Sequence, residues 1–388
     1  MGRFKIRKHW NYYLIIVALG LQLYSTQCLP GITYDSKQYL SAADSFAQSR
    51  QLLNEKGKPH LAHTPLYAVT LSWLGANRLQ WAKYLNTICL GITLLLFVYL
   101  GNCLLHNAIT QWVFSMLLVI ATPLQLIHHF VWSEPLFLTF LAVLLVLFYH
   151  FLQKPTPQVF WGMVPVAFLL CMQRNPGIFI IVGVALSFWW FSNVRWWKVA
   201  LWGLVSISGW AVWTVYTYQT NQAEIQPAFH NVLGELLLRH NLDHHLNVLS
   251  SWLLPLTISL IIRGVILLLF VGLLIVSAMY GYVQITQFTK ALFTIGVVYM
   301  ICLQFTERVD YHETTRYLAV IFPLVLLAMV ESIELLGRRM PLNITQLSGV
   351  LLLCWLLYPI GRTWKNVTSW HQISCKANLL EKSDEKKE

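Results

Sequence analysis

One carboxylate marks the end of the first apolar stretch of the chain. Asp35 begins an amphipathic segment, and Tyr39 follows it at a spacing of four, which places both side chains on one face of a helix. A carboxylate beside a membrane-length apolar stretch is costly unless it faces water, a partner or a substrate. Asp35 is therefore the first candidate for a functional residue. The alternative is that it only caps the N-terminus of the helix that it begins.

The composition assigns the chain to the membrane proteins. Of its 388 residues, 57% are hydrophobic and 11% are charged, whereas a soluble domain has about 25% charged residues. Open sheets cannot lie in lipid, and the apolar segments are too long for the strands of a barrel. The prediction is an all-α polytopic membrane protein. Its net charge of +11 reflects basic residues at the ends of spans and does not call for a nucleic acid partner.

Apolar runs of membrane-spanning length predict about eleven transmembrane helices, the shorter of which need a tilt or a thinned bilayer. They form one transmembrane domain, 1–361, followed by a basic, charged C-terminal tail, 362–388. Two long outer loops, 30–79 and 218–261, separate some of the runs, and loops of this length are usually functional or carry their own helices. The predicted spans are 11–29, 80–105, 111–128, 135–153, 158–172, 176–193, 197–217, 262–285, 291–305, 317–336 and 345–361.

The distribution of charge predicts which ends of the spans face outwards. With the N-terminus in the cytoplasm, the inner connectors carry basic residues and almost no acids, while most acids and histidines fall at the outer ends. Titratable chemistry is therefore expected on the outer, non-cytoplasmic face. An odd number of spans places the basic C-terminal tail outside as well, against the same rule, so a miscounted span is the alternative.

The cysteines give no sign of pairing. Most of the seven lie within apolar runs, and none stands at a paired spacing. This arrangement predicts neither a disulfide framework nor a structural zinc site.

The first outer loop, 30–79, has a helical pattern of its own. Apolar residues recur at helical spacing from Asp35 to Leu53, which predicts an amphipathic helix lying along the membrane surface. Pro65 suits the first turn of a second, short helix. The loop that carries Asp35 is thus expected to be built from juxtamembrane helices.

Five short motifs follow one another along residues 11–336. They are Asp35-x-x-x-Tyr39, Thr64-Pro65-Leu66-Tyr67, Trp132-Ser133-Glu134-Pro135, Arg174-Asn175-Pro176-Gly177 and Arg316-Tyr317-Leu318. Each is degenerate alone, and only the ordered set is informative. The set resembles the GT-C superfamily of integral-membrane glycosyltransferases, particularly the bacterial members related to the lipid A aminoarabinose and protein mannosyl transferases.

The resemblance implies transfer of a sugar from a polyprenyl-phosphate donor to an acceptor hydroxyl on the outer side of the membrane, with inversion at the anomeric carbon. A hydroxyl is a weak nucleophile, so a carboxylate must accept its proton, and this role falls to Asp35. Glu134 is the second candidate catalytic residue, with an acid at a helix N-terminus as its alternative. Positive charge must stabilise the departing phosphate. Arg316 is the first candidate for this role and Arg174 the second. The alternative for both is an ion pair with a neighbouring acid or an anchor at the membrane interface.

Further candidates concern the substrate and a metal ion. Substrate binding is predicted for Tyr39, Tyr67, His63 and His128. The sequence predicts no definite cofactor. The one cofactor considered is a divalent metal ion, and its candidate ligands are His240 and His244, which lie one turn apart on a helix face.

The acceptor stays open between a lipid, a glycan and a protein. The protein mannosyltransferases carry two adjacent acids where this chain has Asp35-Ser36, so a protein acceptor is not assumed. The expected location is the bacterial inner membrane, among membrane lipids, with the active site facing the periplasm or exterior. A polysaccharide polymerase or ligase and a non-catalytic multispan transporter are the alternatives; a transporter would show inverted halves and charges deep within spans.

Overall fold

The structure is a computed structural model that describes residues 10–220, 239–279, 285–304, 311–338 and 342–384, and this part of the chain is helical, with no named strand. The predicted all-α polytopic membrane fold is confirmed. In chain order the helices are α1 Trp10–Ser25, α2 Tyr34–Ser49, α3 Leu66–Ser72, α4 Arg78–Leu104, α5 Ala108–Val119, α6 Thr122–His129, α7 Glu134–Gln153, α8 Pro157–Gln173, α9 Gly177–Phe191, α10 Trp196–Thr220, α11 Arg239–Leu253, α12 Leu260–Met279, α13 Gln287–Gln304, α14 Tyr311–Gly337 and α15 Leu342–Asp384.

Over the described residues each of the predicted spans coincides with a helix, and one of them is interrupted; the parts of the predicted spans at 280–284 and 305 lie outside the described residues. The span predicted at 111–128 consists of α5 and α6, with Pro123 in the first turn of α6. Within the described residues, six segments are long and apolar enough to cross a membrane: α4, α5 together with α6, α7, α10, α13 and α14. The apolar helices α1, α8 and α9 are shorter.

The core of the bundle packs α7 against α4 and α8, and α9 against α13. Phe148 of α7 and Phe188 of α9 meet edge to face with ring centroids 4.9 Å apart, and Phe188 contacts Trp202 of α10 in the same way. At the α9–α13 contact a Cβ on Gly183 would lie 2.8 Å from the Cα of Ile295, so these two helices approach closely only because residue 183 lacks a side chain.

The last helix corrects the prediction that the cysteines do not pair. Cys28, beyond the end of α1, forms a disulfide bond with Cys375 of α15. A separation of 347 residues leaves no local spacing from which the pair could be recognised. Around the bond, Ser374 Oγ donates to the Leu29 carbonyl at 2.5 Å and accepts from the Leu29 N–H at 2.9 Å.

This bond also locates the C-terminal part of the chain. The residues predicted as a charged tail, 362–388, are helical as far as Asp384. Cys375 lies beside the end of α1 from which the chain continues to Asp35, so the end of α15 and Asp35 belong to one face of the bundle. With the N-terminus inside, an odd number of membrane crossings places the end of α15 on the same outer face as Asp35.

The outer loop 30–79 is attached to the start of α7 by a short parallel bridge. Gly31 N–H donates to the His129 carbonyl at 2.9 Å, and Val131 N–H donates to the Gly31 carbonyl at 3.0 Å. A Cβ on Gly31 would lie 2.3 Å from the ring of Phe130, so this approach requires glycine. Two residues later Thr33 caps α2 in a capping box with Ser36. The α2 helix, predicted to reach Leu53, ends at Ser49.

We predict that Gly183→Ala destabilises the bundle because the added methyl group would lie against the backbone of α13. Overpacking of this kind costs about 1–3 kcal/mol. Gly203→Ala is the control, since a Cβ there meets nothing within 4 Å. Thermal unfolding of the detergent-solubilised protein should show a lower midpoint for the first variant alone; equal midpoints would refute the close α9–α13 contact.

Candidate active site

Arg316 joins two carboxylates that come from different parts of the chain. Its Nη1 donates to Asp35 Oδ2 at 2.7 Å, while its Nε and Nη2 lie 2.9 and 2.8 Å from Glu134 Oε1. Arg174, between α8 and α9, forms a second ion pair with Glu134, with Nη1 at 3.0 Å from Oε1. The structure thus brings together all four residues predicted from the sequence to carry the chemistry.

The four side chains differ in their access to solvent. The side chain of Glu134 is fully buried, those of Arg174 and Arg316 are 9% and 12% exposed, and that of Asp35 is 24% exposed. A group must be accessible to exchange a proton with a substrate. Among the two carboxylates only Asp35 meets this condition, whereas Glu134 is enclosed and neutralises the two guanidinium groups.

The environment of Asp35 favours its ionised form. Burial raises the pKa of this carboxyl, but the hydrogen bond from Arg316 and its positive charge, with smaller contributions from His63 and Arg174, bring the pKa below the ordinary value. Asp35 Oδ2 is used by Arg316, and Oδ1 lies 3.9 Å from Nε2 of His63. At neutral pH the side chain is a carboxylate and can accept a proton.

Residues before α7 complete the wall of the site. The guanidinium of Arg316 lies over the ring of Trp132 at 4.0 Å, a cation–π contact, and the indole N–H of Trp132 donates to Thr33 Oγ1 at 2.8 Å. Ser133 Oγ shares a hydrogen bond of 3.1 Å with the hydroxyl of Tyr39. Neither Trp132 nor Ser133 was predicted from the sequence to have a role, although both belong to the motif that contains Glu134.

Three of the predicted substrate-binding side chains line the other side of Asp35. The ring of Tyr39 meets Tyr67 edge to face at 4.9 Å and lies 4.6 Å from the ring of His63. Within the described part of the chain, the hydroxyl of Tyr67 and Nε2 of His63 are buried without a hydrogen-bond partner. Unpaired buried polar atoms are costly, and both of these lie out of contact with solvent.

His63 is held neutral at physiological pH. Burial lowers its pKa. The negative charge of Asp35 raises the pKa in part, and the positive charges of Arg174 and Arg316 lower it further. The resulting pKa is below the ordinary value of a histidine. A neutral imidazole can donate or accept a hydrogen bond, which suits a sugar hydroxyl.

The fourth predicted substrate-binding residue, His128, lies apart from this group. It is fully buried in α6, and its Nδ1 is 2.7 Å from the Leu124 carbonyl one turn earlier. Its own carbonyl accepts hydrogen bonds from Gln22 and Asn86, at 2.6 and 3.0 Å. These contacts join α1, α4 and α6 beneath the bridge that positions the loop.

The metal-binding prediction rests partly on residues whose side chains are not described. The side chain of His240 lies outside the described residues, and His244 is in α11. In the described ranges no group of three or more His, Cys, Asp or Glu side chains is arranged to hold a metal ion.

Comparison with solved structures identifies a protein with a similar fold. No family model matches the chain, and no curated protein matches it. Among solved structures, ArnT from Cupriavidus metallidurans bound to undecaprenyl phosphate matches with a TM-score of 0.55 and 12% identity. The same protein in the apo state matches with a TM-score of 0.53 and 13% identity. ArnT is a GT-C glycosyltransferase. The chain has the GT-C fold.

The alignment covers most of this chain and a smaller share of ArnT. The two matches cover 86% of this chain, but only 61% and 60% of the ArnT chains. At this level of identity the likeness shows the fold and leaves the activity to be argued from the site. The GT-C fold that the ordered motifs indicated is thereby confirmed.

We predict that Glu134→Gln lowers the stability of the protein strongly, because it removes the buried carboxylate that pairs with both Arg174 and Arg316 and leaves Asp35 as the remaining counter-charge for two guanidinium groups. Removing one partner of a buried ion pair costs about 3–5 kcal/mol. Asp44→Asn, which removes an acid paired with Arg78 on the surface of α2, should cost about 1 kcal/mol or less. Thermal unfolding of both variants checks this, and comparable midpoints would show that the Glu134 pairs contribute little.

Proposed function

We propose that the protein transfers a sugar from a polyprenyl-phosphate donor to an acceptor hydroxyl, with inversion at the anomeric carbon. The observation that carries this proposal is Arg316 in contact with both Asp35 and Glu134. It places a partly exposed carboxylate, which can accept a proton, next to a guanidinium that can bind phosphate. The match to ArnT bound to undecaprenyl phosphate supports the lipid class of the donor.

Each side chain has a role in this reaction. The acceptor oxygen attacks the anomeric carbon, its proton passes to Asp35, and the bond from that carbon to the phosphate oxygen breaks, so that a polyprenyl phosphate leaves with the electron pair. Arg316 and Arg174 stabilise the charge that develops on the departing phosphate. Glu134 is a positioning residue, because it holds both guanidinium groups and has no contact with solvent. Tyr67 and His63 offer unpaired polar atoms to the sugar.

An apolar cavity below the site suits the isoprenoid chain of the donor. Its volume is about 440 Å³, and side chains of α5, α6, α11, α12, α13, α14 and α15 line it. Phe322 lies in this lining, six residues after Arg316 on α14, which corresponds to about 9 Å along the helix axis. The two residues are also about 120° apart around the helix, so the tail of a lipid with its phosphate at Arg316 would pass around α14 to enter the cavity. We assign the cavity to that tail.

The disulfide bond supports an outward-facing site. Disulfides persist in the periplasm and outside the cell and are rare in the cytosol. Cys28 and Cys375 lie on the face of the bundle that carries Asp35. The proposed orientation places the N-terminus in the cytoplasm and the active site at the periplasmic or exterior surface of the inner membrane, as the charge distribution of the sequence predicts.

We predict that Asp35→Asn abolishes sugar transfer, because asparagine keeps the shape of the side chain but cannot accept the proton. Loss of a general base costs about 10²–10⁴-fold in rate. The assay uses purified protein, radiolabelled polyprenyl-phosphate sugars and a panel of lipid, glycan and peptide acceptors. Asp44→Asn is the matched control on the same helix. Transfer by Asp35→Asn at close to the unmodified rate would refute the role of Asp35 as base.

We predict that Cys28 and Cys375 are linked in cells and react with a thiol reagent only after reduction. The test labels intact cells with a membrane-impermeant maleimide before and after treatment with a reductant, in a variant whose other cysteines are replaced by serine. Labelling that requires the reductant and occurs without permeabilisation supports the outward orientation. Labelling only after permeabilisation would place this face, and the active site with it, in the cytoplasm.

A further inference from the structure

We propose that the donor phosphate itself releases the catalytic base: on binding, it takes Nη1 of Arg316 away from Asp35, so that Asp35 becomes free to accept a proton only in the occupied site. This inference rests on the proposed function. It concerns an exchange of ionic partners, in which no covalent bond changes before the transfer step.

The contacts of Arg316 show which of its edges can be exchanged. Its Nε and Nη2 edge is fixed on Glu134, which is fully buried and also paired with Arg174. The guanidinium carbon lies over the ring of Trp132, 4.0 Å from its centroid. Nη1, by contrast, points to Asp35, the most exposed of the four charged side chains. A phosphate oxygen can therefore replace Asp35 Oδ2 at Nη1 while the rest of the guanidinium stays in place.

The stereochemistry of inversion requires this contact to open. In an inverting displacement the nucleophile and the leaving group lie on opposite faces of the sugar, and the base belongs to the nucleophile's side. In inverting glycoside hydrolysis the two carboxyl groups are about 6.5–9.5 Å apart, which leaves room for the attacking water between base and sugar. Here Asp35 and Arg316 are in direct contact at 2.7 Å. A base and a phosphate-binding group cannot act across a sugar while they are hydrogen-bonded to each other.

The exchange also changes the strength of the base. Three groups face Asp35: Arg316 from α14, His63 from the loop before α3 and Arg174 from the loop between α8 and α9. The hydrogen bond from Arg316 contributes most to the low pKa of Asp35. When that bond passes to a phosphate, the pKa of Asp35 rises towards its ordinary value, and the carboxylate becomes a better proton acceptor. In the empty site the lowered pKa makes Asp35 a weaker base than a free carboxylate.

The test is the affinity of the full-length protein for undecaprenyl phosphate in nanodiscs. Because Asp35 competes with the phosphate for Arg316, Asp35→Asn should bind this lipid roughly 10- to 100-fold more tightly than the unmodified protein, the size expected when one charge-assisted hydrogen bond no longer has to be given up. Asp44→Asn removes the same charge from the same helix and should not change the affinity. Undecaprenol, which has the same tail without phosphate, should bind all three proteins alike.

The outcomes separate this inference from the function on which it rests. If the unmodified protein binds undecaprenyl phosphate no better than undecaprenol, the proposed donor class is wrong. If it prefers the phosphate but Asp35→Asn binds with equal or lower affinity, the function stands and the exchange is refuted. A gain shared by Asp44→Asn would reveal a general effect of charge and would also overturn the exchange.

A double-variant cycle tests the same point through Arg316. In an Arg316→Gln background the competition no longer exists, so adding Asp35→Asn should give no gain in affinity. Arg174 still neutralises Glu134 in this background, and a melting curve checks that the variant is folded. A gain of the same size with and without Arg316 would contradict the proposal.

Discussion

The site depends on one guanidinium that is paired with two carboxylates at once. Asp35 comes from the first outer loop and Glu134 from the start of α7, and Arg316 of α14 holds them together. Burying this many charges is favourable only when each is paired and hydrogen-bonded. The enclosed pair with Glu134 fixes the arginine, and the exposed pair with Asp35 leaves one edge that a ligand can reach. The same geometry therefore gives the site both its rigidity and its capacity to change partners.

The bundle supplies the positions that this arrangement needs. A parallel bridge at Gly31 ties the start of α2 to the segment that leads into α7, so Asp35 and Glu134 are positioned by the same backbone contact. A disulfide bond fixes the end of α15 next to that loop. Beneath the charged site lies an apolar cavity among the helices. A charged site with an apolar cavity further along the same helix is the arrangement that the proposed lipid donor needs.

The sequence predicted much of the fold and of the site, for identifiable physical reasons. Apolar runs of membrane length have few alternatives to helices, so the spans were recognisable. The acids and arginines at span ends stood out because charge there is costly. The Cys28–Cys375 bond was missed because 347 residues separate the partners. The inward position of His128 and the platform formed by Trp132 were missed because packing decides which way a side chain on an apolar element points.

The central claim is that Arg316 binds either Asp35 or a donor phosphate while it remains fixed on Glu134. The most direct measurement is a cryo-electron microscopy structure of the protein with undecaprenyl phosphate bound. If Arg316 exchanges partners in this way, phosphate density should lie at Nη1 of Arg316, the contact with Glu134 should be unchanged, and the Asp35 carboxylate should have moved out of hydrogen-bonding range. A lipid phosphate bound elsewhere, with the contact between Asp35 and Arg316 intact, would contradict it.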